Sequence, residues 1–207
     1  MRCDKWILVV ALAAAAGSAQ AAGIGVRAGT TGLGADFGWD IAPTLGGRIG
    51  VSGMTFNTNF DTSGVRYDAK ARIGNVNLFL DWSPLGPFRI TGGFIPNNNK
   101  VDLFGQGAAF PAGSSLTGTV KPEKSIAPYL GVGYGNVWTA GVNFYADLGI
   151  MFQGAPQVSL SLNCGTSDPV QCAAAQGQVE AERQRVQDEL KAYKYYPVLN
   201  LGITIGF

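Results

Sequence analysis

The chain contains no histidine among its 207 residues. That absence removes every Ser–His and Asp–His arrangement for nucleophilic catalysis. With so few thiols it also removes the usual ligand set of a zinc site. Cysteine is limited to Cys3, Cys164 and Cys172. Charged residues make up only 14% of the chain, 15 basic against 14 acidic. There is thus no basic footprint of the kind nucleic-acid binding leaves. Long apolar runs are missing too: past the N-terminal region nothing approaches the roughly 20 residues that a membrane-spanning helix needs.

What is present begins with Arg2 and Lys5, slightly offset by Asp4, then an apolar run from Trp6 to Ala16 and the small-x-small triplet Ala19-Gln20-Ala21. This pattern reads as a secretory signal peptide over residues 1–21. Its apolar run is too short to anchor in a bilayer, and Cys3 lies ahead of it, not at the cleavage site where a lipoprotein would need it. Removing 1–21 takes away Arg2, Lys5 and Asp4 and leaves the two signs equal in number. Residues 22–207 then form one domain. Disulfides persist in an exported protein, so Cys164 and Cys172 are expected to pair, closing a short loop worth roughly 2–3 kcal/mol.

Eight segments alternate with a period of two, the signature of strands with one apolar and one polar face. They are expected over 23–30, 33–41, 47–56, 67–82, 88–95, 126–134, 141–152 and 195–207. The last is the clearest: Leu199, Leu201, Ile203, Ile205 and Phe207 alternate with Asn200, Gly202, Thr204 and Gly206. In the fourth the apolar parity switches from Ala69, Ala71 and Ile73 to Val76, Leu78, Leu80 and Trp82, which suggests a β-bulge beside Gly74. The connections alternate in length. Short turns fall near 42–46, 83–87 and 135–140. The opposite side has one tight connection at 31–32 and longer ones over 57–66, 96–125 and 153–194. A hairpin hidden in 96–125 would raise the count to ten.

The apolar face is assigned to the outside by magnitude. An arginine at mid-membrane costs roughly 2–4 kcal/mol, so Arg27, Arg48, Arg72 and Arg89 together would consume most of an ordinary stability of about 5–15 kcal/mol. The polar face, rich in small residues from a chain with 30 glycines, suits a crowded narrow lumen. The expected fold is therefore an all-β, eight-stranded antiparallel transmembrane β-barrel, since open sheet edges cannot be satisfied in hydrocarbon. The competing reading is a soluble barrel with its apolar face turned inward. Trp39, Trp82, Phe88, Tyr134, Trp138 and Phe207 are expected in an interfacial girdle at the short-turn rim.

The signal peptide, eight alternating strands, loop phasing and terminal Phe207 resemble the small outer-membrane β-barrels of Gram-negative bacteria, the OmpA transmembrane part and the OmpX and OmpW types. The resemblance is architectural and carries no functional motif. It implies an outer-membrane location, outer-membrane lipids as surroundings, and a last strand read by the barrel-assembly machinery through Tyr195, Leu199, Leu201, Ile203, Ile205 and Phe207. Enzymes among such barrels generally depend on a histidine, so an enzyme is not expected here, and neither is a cofactor or metal.

The candidate lumen holds Arg27, Asp36, Asp40, Arg48, Arg72, Asp81, Arg89 and Asp147, with Asp68, Lys70, Asn75, Asn77, Asn143, Tyr145, Asn200 and Thr204. These form either a packed ion-pair network or a narrow polar pathway. In the last long loop, Asp168-Pro169 reads as an N-cap and first helical residue. The helix that follows, to about Tyr193, carries Val179, Val186, Leu190 and Tyr193 within ~60° of one another on a helical wheel. That amphipathic helix is either a loop element packed on the rim or a lid over the lumen. Three functions follow: a packed surface barrel acting through its loops on an unidentified surface partner, a narrow channel for small solutes gated by the 169–193 helix, or, remotely, a histidine-free lipid enzyme.

Overall fold

The computed structural model describes residues 21–62, 65–107, 113–165 and 168–207. Apart from Ala21, the expected signal peptide lies outside the described residues. Eleven strands and one long helix follow in order: β1 (Ala22–Gly29), β2 (Gly32–Ala42), β3 (Leu45–Thr62), β4 (Val65–Leu85), β5 (Phe88–Pro96), β6 (Lys100–Gly107), β7 (Ser115–Lys121), β8 (Ile126–Tyr134), β9 (Gly141–Met151), β10 (Gln157–Asn163), α1 (Pro169–Leu190) and β11 (Tyr196–Gly206). All pairings between these strands are antiparallel. Eight strands close a ring in the order β1-β2-β3-β4-β5-β8-β9-β11 and back to β1. Closure removes every open edge from the ring.

Alternation fixes which side chains point where. On β1, Ile24 and Val26 are exposed while Gly25 and Arg27 are buried. The same holds on β4, where Leu78, Leu80 and Trp82 face out and Asn77, Phe79 and Asp81 face in, and on β11, where Leu201, Ile203 and Ile205 face out and Asn200 and Thr204 face in. The outer surface is thus a continuous apolar belt, with the charged residues inside. A barrel with its core inside and charges outside, the soluble alternative, has the opposite polarity. Among the expected girdle residues, Trp82, Phe88, Tyr134 and Phe207 are exposed on that belt and Trp39 is partly covered. Trp138 is not among them: its ring lies against inward-facing Gly46 at the short-turn mouth.

Two sequence expectations fail, for one physical reason. No bulge occurs at Gly74; β3 and β4 stay in register from Leu45↔Trp82 to Thr62↔Val65, with Gly53 opposite Gly74. The inward set runs unbroken through Ala69, Ala71, Ile73, Asn75, Asn77, Phe79 and Asp81. What changes at Gly74 is the surroundings: the outward residues turn from apolar to charged because the strand leaves the belt. Likewise 57–66 is no free loop, since both strands continue to within two residues of each other.

Beyond the belt, β4 exchanges one partner for another. Its inner half pairs with β5 from Leu78↔Phe94 to Leu85↔Phe88, and its outer half pairs with β6 from Arg72↔Lys100 to Val65↔Gly107. β6 pairs with β7 and β7 with β10, so an overhanging sheet extends from the ring. The 96–125 segment does contain a hairpin, but it joins this sheet and the ring keeps eight strands.

α1 starts as expected: the Asp168 carboxylate accepts from Val170 N and Gln171 N, and Pro169 opens the helix. The Gln187 side chain bridges the β10 edge, accepting from Val158 N at 2.9 Å and donating to Pro156 O at 2.7 Å. The Cys164–Cys172 disulfide ties the end of β10 to the first turn of the helix. α1 therefore covers an edge that would otherwise invite pairing with another chain. Because β4 and β5 close the ring without β6 or β7, replacing residues 98–124 by a short linker is expected to leave a folded barrel. Retained heat-dependent gel mobility and β-rich circular dichroism in detergent check this.

Candidate functional site

The inner face of the ring is a layered core. Its middle layer holds three arginines and three aspartates. Arg48 on β3 makes two forked pairs: Nε to Asp81 Oδ2 at 2.9 Å and Nη2 to Asp81 Oδ1 at 3.2 Å, then Nη1 to Asp147 Oδ2 at 2.7 Å and Nη2 to Asp147 Oδ1 at 3.0 Å. Arg89 on β5 donates to the same Asp147 carboxylate at 2.6 Å and lies 3.5 Å from Asp81. Thr91 donates to Asp81. Arg27 on β1 pairs with Asp36 on the neighbouring β2, and Asp36 also accepts from the Tyr145 hydroxyl of β9. With its amide turned so that its oxygen faces Arg27, Asn77 accepts from that guanidinium.

Side-chain exposure in this layer is 0% for Arg27, Asp36, Arg48 and Arg89 and 1–2% for Asp81 and Asp147. The layer is closed to solvent. Burying six charges is tolerable only because each is paired and hydrogen-bonded. Aromatic faces complete the packing, with the Arg48 guanidinium 5.0 Å from the Phe79 ring centre and 5.6 Å from that of Tyr145.

Glycine supplies the space. Arg27 stands opposite Gly34 and Gly202, Asp36 opposite Gly25 and Gly50, and Arg89 and Asp147 both flank Gly133. A Cβ at Gly202 would fall 2.2 Å from the Tyr145 ring, and one at Gly50 would meet the Asp36 carboxylate. Large side chains therefore reach the barrel axis only across neighbours that have none.

Two further layers cap the charged one. Towards the short turns, Val137 in the β8–β9 connection is buried against Gly23 and Gly38, and Trp138 fills the space above Gly46. Towards the long loops, Phe79, Ile95, Ala127, Tyr129, Met151 and Val198 form an apolar cluster, with Phe79 stacked on Tyr129 at 4.7 Å between ring centres. The sequence reading named none of these as lumen residues. Strand parity was the available signal, since Phe79 shares a face with Asp81 and Val198 with Asn200.

Other expected lumen residues lie elsewhere. Asp40 sits at the short-turn rim, where it accepts from Ala21 N at 2.8 Å. Arg72 is outside the lumen, half exposed on the overhanging sheet and 3.7 Å from Asp102. Lys70 and Asp68 share its outward face, because they share its strand parity. Asn143 bonds to carbonyls of its own turn, at Thr139, Ala140 and Gly141. Asn200, Thr204 and Asn75 are buried inside the ring. In α1, Val179, Val186 and Leu190 are half-buried, while Tyr193 is exposed in the 3₁₀ turn (Lys191–Tyr193) that follows. The helix has no fully buried residue and packs on β10, the strand farthest from the ring in pairing order.

Electrostatics outside the belt is local. Arg183 holds the Glu180 carboxyl down to about 2 through paired hydrogen bonds at 2.7 and 2.8 Å. Hydrogen bonding from Lys100 lowers that of Asp102.

Arg48 is the residue on which the charged layer converges. Substitution Arg48→Met leaves Asp81 and Asp147 facing Arg89 alone, and breaking a buried pair from one side costs about 3–5 kcal/mol. The urea midpoint of the folded barrel in detergent, followed by tryptophan fluorescence, is expected to fall accordingly. The exposed-pair variant Arg185→Met should leave it unchanged within error.

Comparison with solved structures places the architecture. Acinetobacter baumannii CarO2 and CarO align with 90% and 89% of this chain and 98% and 97% of their own, at TM-scores of 0.61 and 0.60 and 22% identity in each case. A major outer membrane protein from Thermus thermophilus aligns at a TM-score of 0.39 and 17% identity, too distant to build on. No protein-family model and no curated protein matches the sequence. The chain has the fold of a small outer-membrane β-barrel.

Proposed function

We propose that this chain is a non-enzymatic integral protein of a Gram-negative outer membrane, exported with loss of its N-terminal segment. Its lumen is closed, and it acts through the overhanging sheet and α1 at the cell surface. The observation that carries this reading is the six-charge layer, whose side chains fill the lumen and leave it almost no solvent-accessible surface. The Val137 turn below and the Phe79–Tyr129 cluster above support it. Residues Tyr195 to Phe207 supply the assembly signal in this reading.

A second reading, the narrow solute channel, draws on one observation. Ser52 Oγ, both amide atoms of Asn75 and Asn97 Oδ1 lack hydrogen-bond partners among the described residues, although all three residues are buried and adjacent across β3, β4 and the end of β5. Such a row suits water in the outer half of the lumen. A solute would still have to part the charged layer below.

Single-channel conductance in planar bilayers separates the two. The refolded chain lacking residues 1–21 and a variant also lacking 165–192 are both expected to be silent. Steps are expected only after the layer is cut, as in Arg48→Ser/Arg89→Ser. Discrete steps from the intact protein would instead establish the channel, and steps that grow on removing 165–192 would make α1 its gate. Turnover of phospholipid by the purified barrel would replace both readings with an enzyme.

A further inference from the structure

The outer half of β4 presents charge on the side that faces lipid lower down. Trp82, Leu80, Leu78 and Val76 share one parity, and Arg72 and Lys70 continue it without a break in register. From Trp82 to Arg72 the strand rises about 33 Å at ~3.3 Å per residue. Tilted by 35–45°, that is about 25 Å along the membrane normal, the height of the apolar band of an outer-membrane barrel. Arg72 therefore emerges where hydrocarbon ends and phosphorylated headgroups begin.

It does not emerge alone. Lys100 on β6 is its direct cross-strand partner. Lys121 on β7 follows Val120, the partner of Val101, and shares a face with Thr119, which donates to Asp102 on this same surface. Arg72, Lys100 and Lys121 thus form a row at the belt's edge, with Lys70 one step above. Like charges directly opposite one another disfavour pairing of their strands. Asp102 answers part of this, at 3.1 Å from Lys100 and 3.7 Å from Arg72. Lys70 and Lys121 have no ion pair among the described residues, so the two lowest rows carry four cations against one acid. Asp68, one step higher on β4, faces the same way.

We infer that this row is a binding site for the phosphate groups of an anionic outer-leaflet lipid, which stands beside the β4–β6–β7 face with its acyl chains on the apolar belt. The inference rests on the outer-membrane reading above. Continuity with the belt selects a lipid over a free anion: Val76, Leu78 and Phe94 are exposed directly below the row. Long cationic side chains at such a boundary keep their stems on apolar surface and their heads at headgroup level.

The test uses the full chain without residues 1–21, reconstituted in phosphatidylcholine nanodiscs containing lipid A or its dephosphorylated form. Lipid retained after extraction into zwitterionic detergent is counted by native mass spectrometry. The intact protein is expected to retain lipid A in preference to the dephosphorylated form. Each Lys or Arg near an anionic lipid surface is worth about fivefold in affinity. Arg72→Ser/Lys100→Ser/Lys121→Ser should therefore lose that preference at least tenfold, while Arg72→Lys and a control triple variant on α1, Arg183→Ser/Arg185→Ser/Lys191→Ser, keep it. Equal retention by the intact protein and the row variant, both shown to be inserted by heat-dependent gel mobility, overturns the inference alone. So does equal retention of the two lipids. Failure of the intact chain to insert overturns the outer-membrane reading and the inference with it.

Discussion

Neutralising charge within a narrow ring is the constraint on which the rest of this structure depends. Eight strands enclose a space just wide enough for side chains, and the outer face must remain apolar to meet lipid. Every polar residue of the alternating pattern is thereby sent inward. Three arginines and three aspartates accept that confinement because each finds a counter-charge close by: Arg27 pairs with Asp36 on the next strand, while Arg48 reaches Asp81 and, 99 residues away, Asp147. The Arg48–Asp147 contact joins β3 to β9, four places round the eight-stranded ring, so it ties opposite walls of the barrel together.

The same constraint explains the glycine content. A guanidinium can cross a small barrel only if the residues flanking its stem take no room, and the register places Gly34 and Gly202 beside Arg27 and Gly25 and Gly50 beside Asp36. Glycine within strands weakens them locally. The gain is a lumen packed with large residues where a uniform distribution of medium ones would leave voids. Val137 and Trp138 use the same device at the short-turn mouth, against Gly23, Gly38 and Gly46.

Most of the ring was legible in the sequence because lipid enforces a period of two over long runs. The assignment of Arg27, Asp36, Arg48, Asp81, Arg89 and Asp147 to the inner face followed from parity alone. Who pairs with whom did not, since that depends on a register across the lumen which no local pattern encodes. Parity also misled where the environment changed. At Gly74 the apolar set switched faces because the strand left the belt, yet a pattern read without knowledge of height looks the same as a bulge. The strands of the overhang were visible in principle: Val158-Ser159-Leu160-Ser161-Leu162 and Leu116-Thr117-Gly118-Thr119-Val120 both alternate. The hairpin in 96–125 is expected as an option, but its place outside the ring and the strand in 153–194 are not, because a sheet outside lipid needs no girdle or fixed length to announce itself.

β4 is where the two halves of the molecule meet, and its length is what allows them to differ. Spanning Val65–Leu85, it gives one edge to β3 throughout and divides the other between β5 and β6. Below the division the ring must be closed, because hydrocarbon satisfies no backbone group. Above it water and headgroups are available, so the strand is free to recruit β6 and start an open sheet. That sheet ends on β10, and α1 covers the exposed edge through Gln187 and the Cys164–Cys172 tie. Every strand of the ring finds both its neighbours without the overhang, and by strand pairing the overhang joins the ring through β4 alone. The division at Gly74 is therefore also the boundary between the part of β4 that the membrane constrains on both faces and edges and the part that it leaves free to pair outside the ring.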